Sequence, residues 1–209
     1  MKIKTLFLIV ALATSLSAFC QNDPAAKKIL DGVSAKIKTF KAITASFSLK
    51  SVSSKGKDNG TRKGTVSLKG QKYVMKQDAV EIICDGTKIY NYDGNKTITV
   101  SDVKDESSTL SPQILLSNFY DKDYTYKLIS STGAFHQIQL VPNDKRKNLQ
   151  KLNIFIDKTK NFISKAKILD KSNNTIELNI TNENTNATLN DNLFQFIKAK
   201  YPKDVEILD

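Results

Sequence analysis

Apolar residues recur at two different periods along this chain, and the change of period divides it into an early helix and a long run of strands. Ile29, Leu30, Val33, Ile37 and Phe40 stand three and four apart, with Lys27, Lys28, Asp31, Lys36 and Lys38 on the remaining positions. That spacing predicts an amphipathic helix over about residues 24–40. Asp23 is placed to accept hydrogen bonds from the first free amides, and Pro24 at the first helical position loses no bond by lacking an N–H. After Phe40 the period becomes two. Ile43, Ala45, Phe47 and Leu49 alternate with Thr44, Ser46, Ser48 and Lys50, and the same alternation recurs at Val66/Leu68, Leu152/Ile154/Ile156 and Ile176/Leu178/Ile180. Each run reads as a strand with one apolar and one wet face.

Turn signals separate about ten or eleven such strands. They stand at Asn59-Gly60, Gly70-Gln71, Asp85-Gly86, Asp93-Gly94, Thr132-Gly133 and in the stretches 143–148, 157–161 and 170–174. An antiparallel meander of that length curls and needs something over its apolar face. One segment interrupts it. Ser111-Pro112 supplies a helix start, and Ile114, Leu115, Leu116, Phe119 and Tyr120 leave the predicted short helix almost no polar side. A helix that apolar is buried or covers a cavity.

The first residues carry a different message. Lys2 and Lys4 precede the apolar run Leu6 to Ala13, which gives way to Thr14, Ser15, Ser17 and Ala18. This is the pattern of a secretory signal peptide over residues 1–20, leaving a single domain over 21–209, expected to be soluble outside the cytoplasm. With Ala18 and Cys20 at the small positions, cleavage falls after Cys20. The alternative is lipidation of Cys20 itself, against which the bulky Phe19 argues. Without residues 1–20 the chain keeps 30 basic residues against 21 acidic ones, a net +9. Cys84 is then the one cysteine and His136 the one histidine, so neither an intrachain disulfide nor a Cys/His zinc site is expected.

Motifs for catalysis are missing. There is no Gly-x-Ser-x-Gly elbow, His-Glu-x-x-His pair, phosphate-binding glycine loop or dinucleotide fingerprint, so neither an enzyme nor a cofactor is expected. His136 reads as an ordinary strand residue, Asp85 and Asp93 as turn formers, and Cys84 as a small core residue. The lysines spread over turns and polar strand faces rather than forming one stripe, which argues against nucleic acid. A clustered run does stand at Lys145-Arg146-Lys147, with Lys151 close by. It reads as a solvated hairpin tip or a contact for an acidic partner or anionic lipid.

Asp85-Gly86-Thr87-Lys88-Ile89-Tyr90-Asn91-Tyr92 resembles the Asp-Gly-x-x-(Leu/Ile)-(Trp/Tyr)-x-Tyr signature of the periplasmic outer-membrane lipoprotein carrier (LolA) family. Further matches follow in family order over essentially the whole mature chain. Phe40-Lys41-Ala42 through Phe47 is similar to the first strand, Ser111-Pro112 with Leu115-Leu116 to the lid helix, and Leu140-Val141-Pro142 to a strand end. Leu193-Phe194-Gln195-Phe196 with Pro202 to Ile207 is similar to the closing segment. The resemblance implies an α+β, mainly antiparallel fold: an unclosed β-barrel with an N-terminal helix and a lid helix over an apolar cavity. Alternation and resemblance together place Phe47, Leu49, Val66, Leu68, Met75, Ile82 and Tyr90 in that lipid-binding cavity, with Ile114, Leu115, Leu116 and Phe119 in the lid.

The implied work is that of a chaperone, a monomer carrying triacylated lipoproteins. It would receive them from an inner-membrane export complex and hand them to an outer-membrane receptor or to the outer membrane itself. Two other readings stand beside it: a membrane-anchored receptor of the same fold, if Cys20 is lipidated, and a β-rich interaction protein without ligand. The family pattern also has an Arg after the second strand that bonds to the lid. Here that place reads Lys69-Gly70-Gln71, so lid gating must differ from the family's or rely on Lys69 or Lys72.

Overall fold

The computed structural model describes residues 22–103 and 119–209. Helix α1 (Pro24–Thr39) begins at the predicted cap: Asp23 Oδ1 accepts the amides of Ala25 at 2.8 Å and Ala26 at 3.3 Å. It ends where Phe40 turns to extended backbone, ready for the first strand. Six strands follow: β1 (Ile43–Val52), β2 (Asp58–Lys69), β3 (Lys72–Gln77), β4 (Val80–Cys84), β5 (Lys88–Tyr92) and β6 (Thr97–Asp102). Beyond the undescribed stretch come a short helix α2 (Phe119–Asp123) and five more strands. These are β7 (Tyr124–Ser130), β8 (Phe135–Pro142), β9 (Lys151–Asp157), β10 (Phe162–Leu169) and β11 (Thr175–Asn184). Two 3-10 turns, Asp191–Phe194 and Lys198–Lys200, lead to β12 (Glu206–Leu208).

All twelve strands form one sheet in the order β12-β6-β5-β4-β3-β2-β1-β11-β10-β9-β8-β7. Every pairing is antiparallel except β12 beside β6. The edges β7 and β12 do not pair with each other, so the barrel is unclosed. The strand beyond the expected number is β12, three residues that carry no alternation of their own.

Turn chemistry agrees with the sequence at most places. Asp85 Oδ1 accepts the amides of Thr87 and Lys88, and Asp93 Oδ1 those of Asn95 and Lys96, so both aspartates shape turns. Asn59-Gly60 is the exception. The chain reverses at Ser53–Lys57, where Ser53 N–H donates to Lys57 O and Gly56 supplies φ +78°. Asn59-Gly60 instead lies inside β2 as a bulge: Lys50 faces Thr61 while Val52 faces Asp58, so β2 carries an extra residue.

Alternation and register sort the side chains onto two faces. On the inner face, Ala26, Leu30, Val33 and Ile37 of α1 are buried in one cluster with Tyr126, Ile138, Leu140, Leu152, Ile154, Ile156 and Ile168. Helix α1 packs on β7 and β10. Ile138, Ile154 and Ile156 have no exposed surface, and burying each contributes about 1.5–3 kcal/mol. On the outer face the segment 189–205 lies over β3–β6. Phe194 packs on Val74 and Ile83, Phe196 stacks on Tyr90 at 4.5 Å, and Val205 joins Ile98 and Val100.

Edge β7 is covered by the chain just before α1. Asn22 Oδ1 accepts Tyr126 N–H, Asp23 N–H donates to Tyr126 O, and Asp23 Oδ2 accepts Leu128 N–H at 3.0 Å. One carboxylate therefore caps a helix with one oxygen and blunts a sheet edge with the other.

Candidate functional site

Burial on the inner face is uneven. Along β1, Ile43, Ala45 and Phe47 are buried and Leu49 is partly exposed; along β2, Leu68 is buried and Val66 partly exposed. The same step occurs from Tyr73 to Met75 on β3, from Cys84 to Ile82 on β4, and from Leu178 to Ile176 on β11. The register aligns these steps from β2 to β4, where Val66 faces Met75 and Met75 faces Ile82. On β1 the step lies further along: Val66 faces the buried Ala45, Leu49 faces the buried Leu178, and Ile176 faces Ser51. The partly exposed side chains therefore form an apolar patch toward the end of the sheet that holds the β1–β2, β3–β4 and β10–β11 turns. The buried row lies toward the other end. Leu49, Val66, Met75, Ile82, Ile176 and Ile180 all flank the main core without being sealed into it.

Six of the seven cavity positions expected from the sequence share this face: Phe47, Leu49, Val66, Leu68, Met75 and Ile82. Tyr90 does not. It pairs with Ile83, which faces Val74, and all three point to the outer face, where Tyr90 stacks on Phe196. In Ile89-Tyr90 the apolar and aromatic residues are adjacent, so alternation sends one to each face, and the inner one is Ile89. The sequence reading also left out Ile176 and Ile180. Their alternation is as clear as that of β1, but only the sheet order sets β11 beside β1. Of the lid positions, Ile114, Leu115 and Leu116 lie outside the described residues, as does the side chain of Phe119.

Lys69 and Lys72, expected near the lid, serve the outer face. Their ammonium groups lie 3.3 and 3.5 Å from the Asp191 carboxylate, and Lys69 also donates to Leu189 O, so both tie down the segment that covers β3–β6. A polar network joins α1 to α2 instead. Tyr120 donates to Asp31 Oδ1 at 2.7 Å, Tyr126 donates to Asp121 Oδ1 at 2.9 Å, and Lys27 pairs with both aspartates. Burial and then the Asp31 carboxylate push the Tyr120 phenol well above its ordinary range. Burial and then Asp121 push Tyr126 up to about 12. The Tyr120 hydroxyl holds Asp31 below the ordinary carboxylate range, even though burial opposes it. Tyr120 and Tyr126 stay neutral and Asp31 stays charged throughout neutral pH, and the network acts as a brace.

The structure brings one pair together that sequence reading missed: Ser131 Oγ lies 2.6 Å from His136 Nδ1. In a Ser-His-Asp triad the second imidazole nitrogen is oriented by a carboxylate. Here burial and then the cation of Lys158 lower the His136 pKa, and Lys158 also donates to Ser131 O. The group beside the pair is thus a cation, and the three residues brace the β7–β8 turn. Cys84 is fully buried, as expected for a core residue. Among the described residues no cluster of His, Cys, Asp or Glu could hold a metal, and no helix is long and apolar enough to cross a membrane.

Comparison with known proteins agrees with this architecture. The fold is similar to that of an uncharacterised conserved protein from Thermus thermophilus, with a TM-score of 0.57 at 11% identity over 88% of this chain and 98% of that one. A LolA superfamily protein from Nitrosomonas europaea matches with a TM-score of 0.46 at 11% identity, over 82% and 97% of the two chains. A putative outer membrane lipoprotein-sorting protein domain from Vibrio parahaemolyticus matches with a TM-score of 0.48 at 13% identity, over 81% and 97%. Among curated proteins, none matches this chain. The family model described as outer membrane lipoprotein carrier protein LolA matches residues 38–197, which is most of the chain, and the protein therefore belongs to the LolA family.

Proposed function

We propose that the protein is a periplasmic carrier that holds the acyl chains of lipoproteins against its inner face and shuttles them from the inner to the outer membrane. The observation that carries this reading is the apolar patch of Leu49, Val66, Met75, Ile82 and Ile176, partly exposed beside a sealed core. A protein that only needed stability gains by sealing such a surface, so leaving it accessible points to a ligand that covers it. The energetics suit a fatty chain. At about 0.8 kcal/mol per methylene, moving one sixteen-carbon chain into water costs about 12 kcal/mol, so a lipoprotein crosses an aqueous space only with its chains covered. Met75 suits varied chains, because an unbranched thioether adapts its shape.

The reading is of a binding protein rather than an enzyme. It fits a monomer loaded by an inner-membrane export complex and unloaded at an outer-membrane receptor. Without an energy source of its own, transfer runs down the difference in affinity between donor, carrier and acceptor. The test is to mix purified protein with a triacylated lipoprotein, remove detergent and separate the mixture by size. A soluble complex of one carrier with one lipoprotein is expected. Precipitation of every acylated cargo tried, with the carrier folded and alone in solution, refutes the proposal.

A further inference from the structure

The turns at the exposed end of the patch share a second property. The β1–β2, β10–β11 and β8–β9 turns are joined to one another: Ser54 N–H donates to Asn174 Oδ1, Gln150 Nε2 donates to Asn173 Oδ1, and Lys171 Nζ donates to Lys145 O. Residues 53–63 carry four cations and one carboxylate, residues 143–151 the same, and residues 170–174 one of each. Each carboxylate is already engaged. Asp58 pairs with Lys50, Asp144 with Arg146, and Asp170 accepts the backbone and side-chain N–H groups of Asn174. Lys55, Lys57, Lys145 and Lys171 are exposed, and Arg62 faces Leu49 across the ladder, at the border of the apolar patch.

The β3–β4 and β5–β6 turns at the same end carry Asp78, Asp93 and Lys96, so the surplus of this end lies in the three joined turns. The turns at the opposite end, 70–71, 85–87, 131–134 and 157–161, carry two lysines and two aspartates, with Lys38, Lys41, Lys69, Lys72 and Lys88 beside them. What sets the three joined turns apart is that their cations border the apolar patch.

We propose that these three joined turns form a docking surface for an anionic bilayer, which sets the open end of the apolar patch against the lipid. This deepens the carrier reading and rests on it for its purpose. Several lysines held on one rim act together on a negatively charged surface, and their attraction decays within a Debye length, so it acts only at contact. A neutral or zwitterionic surface offers them no counter-charge. An acidic protein is the competing partner, but the rim is a set of exposed lysines bordering an oily surface, which matches headgroups above acyl chains.

The experiment is sedimentation of the purified protein with vesicles of phosphatidylcholine containing about 30% phosphatidylglycerol and with vesicles of phosphatidylcholine alone, at low and at high salt. Binding to the anionic vesicles only, reversed by salt, is expected. The charge-reversal variant K55E/K57E/K145E/K171E should bind at least about tenfold more weakly. The variant K38E/K41E/K88E/K158E, with the same net charge change placed at the far end, should bind closer to wild type. All eight positions are exposed, and circular dichroism checks that both variants fold. Equal loss in the two variants, binding to both vesicle types alike, or binding to neither overturns the proposal, the last leaving the acidic-protein alternative. Binding of a soluble acyl probe, measured in parallel without vesicles, tests the carrier reading separately, because neither variant alters the patch.

Discussion

Met75→Asp isolates the apolar patch from the fold. Met75 sits in the middle of a cross-strand row, with Val66 on one side and Ile82 on the other, and is partly exposed. In the empty protein an aspartate there keeps contact with water, so the sheet tolerates it. Once an acyl chain covers the row, the carboxylate must lose its water or take up a proton. Protonation sets the ceiling on the cost of the charge, to which the burial of the neutral carboxyl adds. Raising the group from its ordinary value of about 3.9 to neutral costs about 4 kcal/mol at pH 7, or about a thousandfold in affinity. At pH 5 the same proton costs only about 1.5 kcal/mol, about tenfold. The penalty therefore shrinks as pH falls. Titration with a fluorescent acyl probe at the two pH values measures it, with Thr65→Asp as control. That residue is exposed, lies one position from Val66 and points to the outer face, so the same charge there should change little. Binding by folded Met75→Asp within about threefold of wild type at pH 7 would refute the placement of the ligand on this face.

Gly64→Val should destabilise the sheet, because a Cβ at that position would stand 2.3 Å from Lys76 O and 2.4 Å from Phe47 Cζ. The obstruction is a backbone carbonyl, so the β2–β3 pairing must shift; a loss of about 1–3 kcal/mol in urea denaturation is expected, and an unchanged midpoint would contradict the packing of Phe47 over Gly64. Glu81 lies below the ordinary carboxylate range: burial raises it, but hydrogen bonds from Lys76 and Tyr201 outweigh that. A depressed folded-state pKa contributes stability above the unfolded value of about 4.5 that is lost as pH falls through the folded value. The melting temperature of wild type should accordingly drop more steeply in acid than that of Glu81→Gln, and parallel curves would remove Glu81 from the anchoring of the outer-face segment. Asp23→Ala removes both the helix cap and the acceptor for Leu128 N–H, so hydrogen exchange at that amide should accelerate and the uncovered β7 edge should promote association; protection as in wild type would mean the edge is held otherwise.

Sequence was sufficient wherever a local rule decides the outcome. The three-and-four spacing from Ile29 to Phe40 with Asp23 before Pro24 set the helix within a residue, and the alternation of Ile43 to Leu49 named a strand and its wet face. Asp85 and Asp93 followed turn chemistry because an Asp carboxylate accepts the amides two and three residues on whatever lies beyond the turn. Local rules were weaker where two signals competed. Asn59-Gly60 looks like a turn, yet the long β1–β2 ladder absorbs it as a bulge, because pairing on both sides outweighs a local preference.

Tertiary structure alone decided which alternating residues share a surface. A period of two says that neighbours face opposite ways but not which way is inward, so an aromatic residue such as Tyr90 could be assigned to the wrong face until register placed it opposite Ile83. Ile176 joins Leu49 across more than a hundred residues only through the pairing of β1 with β11. The gathering of Lys55, Lys145 and Lys171 at one end is of the same kind. Each lysine is a solvated turn residue in its own stretch, and only the sheet order brings the three turns together, because proximity across a sheet depends on the whole path of the chain.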